Sequence, residues 1–216
     1  VDANLFITEQ WLWLEISVGL ALLTAWGRWL WQRSGRSWLW PPLWHSLRLI
    51  YALGLPALVL FWRRALSERY LGLKPLSAGP AEWTRDLAWT LLIGLVTWLV
   101  LQNMAGLTPL KRHRQWSEAF REALYHQAHA AFYREPWVLL WGIGPGAWLG
   151  LLPLAFEALL DPQHWHDNRD PARSWAVLTR IALYIAGLLV YIKTQNLWLI
   201  WLMDAVVSGM LGQATA

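Results

Sequence analysis

Four residues in the segment WSEAFREALYHQAHAAFYREP (116–136) are of the types and spacing that do chemistry. At about 100° per residue, Glu118, Glu122, His126 and His129 fall at roughly 0°, 40°, 80° and 20° around a helix, so they share one narrow face. Imidazole nitrogen and carboxylate oxygen suit zinc, with one coordination position open for a water nucleophile. Glu122, His126 and His129 are therefore the candidate metal set. Helical zinc pairs normally take a further ligand from another element, and Glu157 or Asp204 could supply it, although nothing in the sequence requires that. The competing reading is a wet seam, in which these side chains pair with Arg112, Arg121, Arg134 or backbone on an interfacial or cavity-lining helix. A third use is pigment ligation, with His45, His126 or His129 as axial ligand to a chlorin magnesium. No Gly-rich phosphate loop, Ser/His/Asp order or dinucleotide fingerprint is present.

The elements that must position these residues are apolar helices. The chain has 216 residues, 56% of them hydrophobic, in blocks near the roughly 20 residues that cross a bilayer core. The blocks run about 11–32, 43–62, 87–106, 137–160, 175–192 and 196–213. The expected fold is all-α: a polytopic transmembrane bundle of about six long spanning helices, plus a shorter amphipathic or half-spanning helix at about 110–135. Connections are short except 63–86 and 161–174, and residues 1–216 read as one integral-membrane domain. The first ten residues hold Asp2 and Glu9 and no Lys or Arg, so no secretory n-region is read there. The first block is expected to be a retained span.

Composition narrows the partners. With no cysteine there is no disulfide and no thiolate metal site. The net charge of +4 comes from basic residues at block ends, such as Arg33, Arg36, Arg63 and Arg64, where anionic headgroups are the natural partners. There is no aromatic-interleaved basic face for stacking bases, so nucleic acid is excluded. Many of the 20 tryptophans lie near block ends, at headgroup level. Gly142, Gly146 and Gly150, four apart, form a candidate helix-packing stripe, with Pro145 expected to bend the helix. Among ionisable residues inside the blocks, Glu15 and Asp204 are deepest and need a partner or a proton.

Three stretches together resemble the CAAX-protease and bacteriocin-processing (CPBP, or Abi) family of intramembrane metalloproteases. RYLGLKP (69–75), followed by EWTRDLAWTLLIGLV (82–96), resembles that family's linker into its third span. HAAFYR (129–134) has the placement and ending of its first motif, Glu-Glu-x-x-x-Arg. NLWLIWLMDAVVS (196–208) resembles the helix carrying its last motif, His-x-x-x-Asn. On this alignment His129 and Ala130 replace the paired glutamates and Arg134 keeps its place. Asp204 stands for the last-motif histidine and Ser208 for the asparagine. The middle motif, Phe-x-x-x-His, has no counterpart, since Phe156 is followed four residues later by Leu160.

The resemblance implies a CPBP-like helical frame with its metalloprotease chemistry broken. The leading expectation is a catalytically inactive scaffold or accessory subunit of a larger membrane complex, including a pigment–protein or photosynthetic one. It would sit in the bilayer among other transmembrane proteins, in a bacterial inner (cytoplasmic) membrane. The alternative is an active zinc-dependent intramembrane peptidase that rebuilds its site from Glu122, His126, His129 and Asp204.

Overall fold

The computed structural model describes residues 3–34, 46–63, 71–75, 79–105, 115–167 and 169–214. All regular structure among them is helical: α1 (Ala3–Arg33), α2 (46–63), α3 (Pro80–Ala105), α4 (Trp116–Trp141), α5 (Ile143–Leu149), α6 (Leu151–Leu160), α7 (Pro162–Asp167), α8 (Pro171–Thr194) and α9 (Leu197–Ala214). Three stretches are long and apolar enough to cross a membrane: Pro80–Met104, Ile143–Leu160 (α5 with α6) and Ser174–Thr194. Ser46–Phe61 and Leu197–Gly212 are shorter apolar helices. The contacts gather into two compact units, one of residues 1–67 and 128–167, the other of 68–127 and 168–216.

In the first unit, α1 packs against α2, α6 and α7. Its buried seam is Gln10, Leu14, Ser17, Ala21 and Thr24, spaced four, three, four and three. Three of those five are polar, whereas Leu12, Ile16, Leu20, Leu23, Trp26 and Leu30 are exposed. Ser17 is 0% exposed and Leu23 is 72%. This inverts the arrangement of a water-soluble helix, with polar and small residues at the seam and large apolar ones outside. Thr24 Oγ1 donates to the Leu20 carbonyl at 2.5 Å, so its hydroxyl is satisfied within the helix. In α2, Pro56 lacks an N–H and the Leu55 N–H closes five residues back on Ile50 O. The winding widens to π over Ile50–Gly54 and again over Val59–Arg63.

In the second unit, α3, α8 and α9 pack pairwise. α3 repeats the inversion: Asp86, Thr90, Gly94 and Leu101 are inside, while Leu87, Leu91, Leu92, Leu95, Val96, Leu99 and Val100 face out. Thr84, Thr90 and Thr97 each donate to the carbonyl four residues back. A Cβ on Gly187 would lie 2.9 Å from Ile200 Cγ2, so that glycine sets the approach of α8 to α9.

The turn between α8 and α9 is held from outside. Asn196 is fully buried and caps α9, its Oδ1 accepting from the Leu199 N–H at 3.4 Å. The Leu197 N–H donates to Gly72 O at 2.7 Å, and Lys74 Nζ reaches Asp86 Oδ2 at 2.8 Å and Glu82 Oε2 at 3.0 Å. Residues 71–75 thus strap the start of α3 to the start of α9. Gly72 adopts φ +83° there, a conformation that favours glycine.

Candidate functional site

The chemistry-bearing face of α4 changes environment along its length. Glu118 is exposed, Glu122 and His126 are half-buried, and His129 is buried. From His129 to Pro136 every residue is buried, so this half of α4 is enclosed on all sides, where a one-sided amphipathic helix was expected from 110–135. The helix also runs through Pro136 to Trp141. Pro136 leaves the Phe132 carbonyl without its intrahelical donor. The left-handed Gly142 (φ +76°) then ends the helix.

Within the first unit, His129 faces Glu157 of α6. Its Nε2 lies 3.3 Å and 3.2 Å from the two carboxylate oxygens. Against a carboxylate acceptor, Nε2 carries the hydrogen. Tyr133, one turn further along α4, donates its hydroxyl to the same carboxylate, so Glu157 gathers two donors from one helix face. The His129 and Tyr133 rings lie 4.2 Å apart, and Tyr51 of α2 meets His129 edge-on at 5.5 Å. Two residues beyond Tyr133, Glu135 Oε1 accepts from Gln10 Nε2 of α1 at 3.0 Å, with both residues buried. This cluster can orient an imidazole against a carboxylate.

Within the second unit, Gln127 Nε2 donates to Asp204 Oδ2 at 2.7 Å, and Ser208 Oγ donates to Asp204 Oδ1 at 3.1 Å. All three residues are buried. Gly187 makes the room, since a Cβ there would stand 3.1 Å from Gln127 Oε1. His126 Nε2 lies 3.8 Å from Glu122 Oε2, and Tyr184 lies beside His126 with ring centroids 5.9 Å apart. The Trp201 indole donates to Phe120 O at 3.0 Å.

The candidate residues fall in different compact units. His129 belongs to the unit of Glu157 and Tyr133, whereas Glu122, His126 and Asp204 belong to the other. Among the described residues, no three His, Asp or Glu side chains gather into a set able to hold a metal ion. His45 lies outside the described residues. Of the family-motif positions, Asp204 and Ser208 bond to each other, and Arg134 is buried with its backbone against Gly150.

The glycine stripe divides as well. A Cβ on Gly146 would come 2.5 Å from Val138 Cα, and one on Gly150 would come 2.6 Å from Arg134 Cα. These two glycines let α5 and α6 fold back closely on the second half of α4. Gly142 has open space beside it and makes the turn instead.

Sequence reasoning passed over Tyr133, Gln127, Gln10, Glu135 and Asp86. For Tyr133 a signal exists, since it lies four residues from His129 on the same face of α4. Gln10 and Asp86 sit near the ends of apolar blocks, where water or headgroups would satisfy them equally well. No protein-family model, curated protein or solved structure matches the chain.

Proposed function

We propose that this chain is a multi-pass integral membrane protein acting as a scaffold or accessory subunit of a larger membrane complex, on a CPBP-like helical frame without proteolytic chemistry. The observation that carries the reading is the inside-out distribution on α1 and α3, with small and polar residues at the seam and large apolar ones outside. A chain solvated by water would leave such continuous leucine-rich faces exposed only at an interface. Hydrocarbon and neighbouring helices cover them at no cost. On this reading α1, α2 and α9 join the three longer apolar stretches in the bilayer, giving about six embedded segments.

The loss of hydrolysis is supported by how the motif positions are used. Asp204 accepts hydrogen bonds from Gln127 and Ser208, and His129 directs Nε2 at Glu157. These groups pair side chain to side chain, as residues that hold helices together do. The Glu122–His126 pair, half-buried and 3.8 Å apart, is the one feature that favours the zinc peptidase instead.

Extraction from native membranes at native expression level, in mild detergent, tests the reading. The expected result is co-migration with other membrane proteins at fixed stoichiometry. A monodisperse single chain overturns the scaffold reading. Stoichiometric zinc in chelator-free material, lost in His126→Ala together with cleavage of a membrane-embedded peptide, would establish the peptidase.

A further inference from the structure

Arg180 is a cation inside Ser174–Thr194, one of the three stretches long and apolar enough to cross a membrane. It stands about 9 Å along the helix from the start of that stretch. It is exposed, and it has no hydrogen-bond or ionic partner among the described residues. At about 100° per residue, Arg180, Tyr184 and Gly187 fall at roughly 0°, 40° and 340°, so they share one stripe of α8. That stripe faces α4. Tyr184 lies beside His126 with ring centroids 5.9 Å apart, and a Cβ on Gly187 would stand 3.1 Å from Gln127 Oε1. Arg180 is therefore on the packed stripe, yet open to the outside one turn before Tyr184.

What stands opposite Arg180 follows from the directions of the helices. After the turn at Gln195 and Asn196, α9 returns antiparallel along α8. α4 runs against α9, since Trp116 packs on Gly209 and Gln127 bonds to Asp204. α4 and α8 therefore run the same way, and one turn before His126 and Tyr184 stand Glu122 and Arg180. Half-buried Glu122 has its Oε2 3.8 Å from His126 Nε2, and exposed Glu118 lies a further turn out. The mouth between the two helices thus carries a guanidinium on one wall and two carboxylates on the other, and Arg180 is in ion-pair contact with neither. Side chains lean toward the N-terminus of their helix, so the long stem of Arg180 carries its charge back toward the start of the span, where headgroups begin.

A ligand complementary to this mouth offers Arg180 a phosphate and, close beside it, offers the carboxylate wall a cation with N–H donors. A purely anionic headgroup would meet Glu118 and Glu122 as like charges. A choline headgroup carries the positive charge but has no N–H to donate. We infer that the mouth between α4 and α8 binds the headgroup of a phosphatidylethanolamine, its phosphate on Arg180 and its ammonium on Glu122. The acyl chains would follow the exposed Leu178, Ile181 and Ile185 of α8. A lipid fits better than a protein, because the span itself fixes both charges at the border between hydrocarbon and headgroups. This rests on the membrane part of the reading above and adds a lipid partner to it.

The test titrates the full chain in neutral detergent with lipids of identical acyl chains, read by native mass spectrometry. The lipids are phosphatidylethanolamine, its N-methyl and N,N-dimethyl derivatives, phosphatidylcholine and phosphatidylglycerol. Phosphatidylethanolamine should bind at least about fivefold more tightly than phosphatidylcholine or phosphatidylglycerol, with affinity falling as methyl groups replace N–H donors. Glu122→Gln should bring the ethanolamine-to-choline ratio toward one, and Arg180→Gln should weaken binding of both lipids. The ratio is taken within each variant, so it compares lipids on the same folded population. Equal binding of phosphatidylethanolamine and phosphatidylcholine, a preference for phosphatidylglycerol, or wild-type affinity in Arg180→Gln overturns the proposal. Displacement of the lipid by excess soluble phosphoethanolamine would assign the site to a free solute and overturn it too. Reconstitution separates this from the reading beneath it. A chain that inserts into vesicles but shows no headgroup preference loses the lipid site alone, whereas one that stays out of vesicles loses the membrane reading as well.

Discussion

Gln127 donates to Asp204 at 2.7 Å across 77 residues of sequence, tying the first half of α4 to α9 inside a layer of apolar side chains. Both residues are buried, and Ser208 adds a second donor to the same carboxylate. Such a bond has few competitors where water is scarce, so losing one end is costly in proportion.

Replacing Asp204 with alanine leaves the Gln127 amide and the Ser208 hydroxyl without their acceptor, and should destabilise the chain by about 2–3 kcal/mol. Asp204→Asn keeps an acceptor and should cost about 1 kcal/mol or less. Thermal melts of the detergent-solubilised protein read both. A double-mutant cycle with Gln127→Leu should return a coupling of about 0.6–1.7 kcal/mol, the range for hydrogen bonds between membrane helices. A coupling of zero would mean that the contact contributes nothing to stability.

Two glycines near each other in sequence should behave oppositely. Gly146→Ala drives a methyl into the Val138 backbone, which cannot move aside as a side chain can, and should cost about 1–3 kcal/mol. Gly144, in the first turn of α5, has open space beside it, so Gly144→Ala should be neutral or stabilising by about 0.5 kcal/mol. Melting temperatures of the two variants, measured side by side, decide the matter. Equal losses would remove the close-packing role assigned to Gly146.

The helices were legible in the sequence because apolar block length and charge at block ends register locally. The blocks at 175–192 and 196–213 coincide with α8 and α9 to within four residues, and that at 87–106 covers all of α3 but its first seven residues. The site was legible only in part. The shared face of Glu118, Glu122, His126 and His129 follows from periodicity, but which neighbour each one meets does not. His129 meets Glu157 because Gly142 turns the chain and Gly146 and Gly150 bring α5 and α6 back along α4. That return is a long-range packing fact with no local signature. The enclosure of residues 129–136 was hidden for a related reason: a polar-looking helix buried on all sides carries no one-sided apolar stripe to betray it.

If α3 is solvated by hydrocarbon, its two faces should differ in access to oxygen. Spin labels on Leu91 and Leu95, both exposed, should collide freely with dissolved oxygen and poorly with a polar nickel reagent in reconstituted vesicles. A label on Thr90, at the buried seam, should be shielded from both. High nickel access at Leu91 and Leu95 would place that face in water and sink the membrane assignment of α3.

The strap at residues 71–75 offers a pH test outside the apolar spans. Asp86 is fully buried and Lys74 nearly so, with side-chain exposures of 0% and 13%. Burial opposes the Lys74 charge, but hydrogen bonds to Asp86 and Glu82, reinforced by both negative charges, outweigh it and hold the ammonium above its ordinary pKa of 10.5. A group whose folded pKa is raised binds its proton more tightly in the folded chain. Its stabilisation is therefore whole below pH 10.5 and drains away as pH rises through the higher folded value. The wild-type melting temperature should show this alkaline fall. Lys74→Met removes the titrating group and leaves Asp86 only the longer Arg85 contact at 3.6 Å, so it should be less stable throughout, by about 1–3 kcal/mol at neutral pH. Its alkaline limb should also be flatter than that of the wild type. Parallel alkaline limbs in the two proteins would show that Lys74 is not the group responsible.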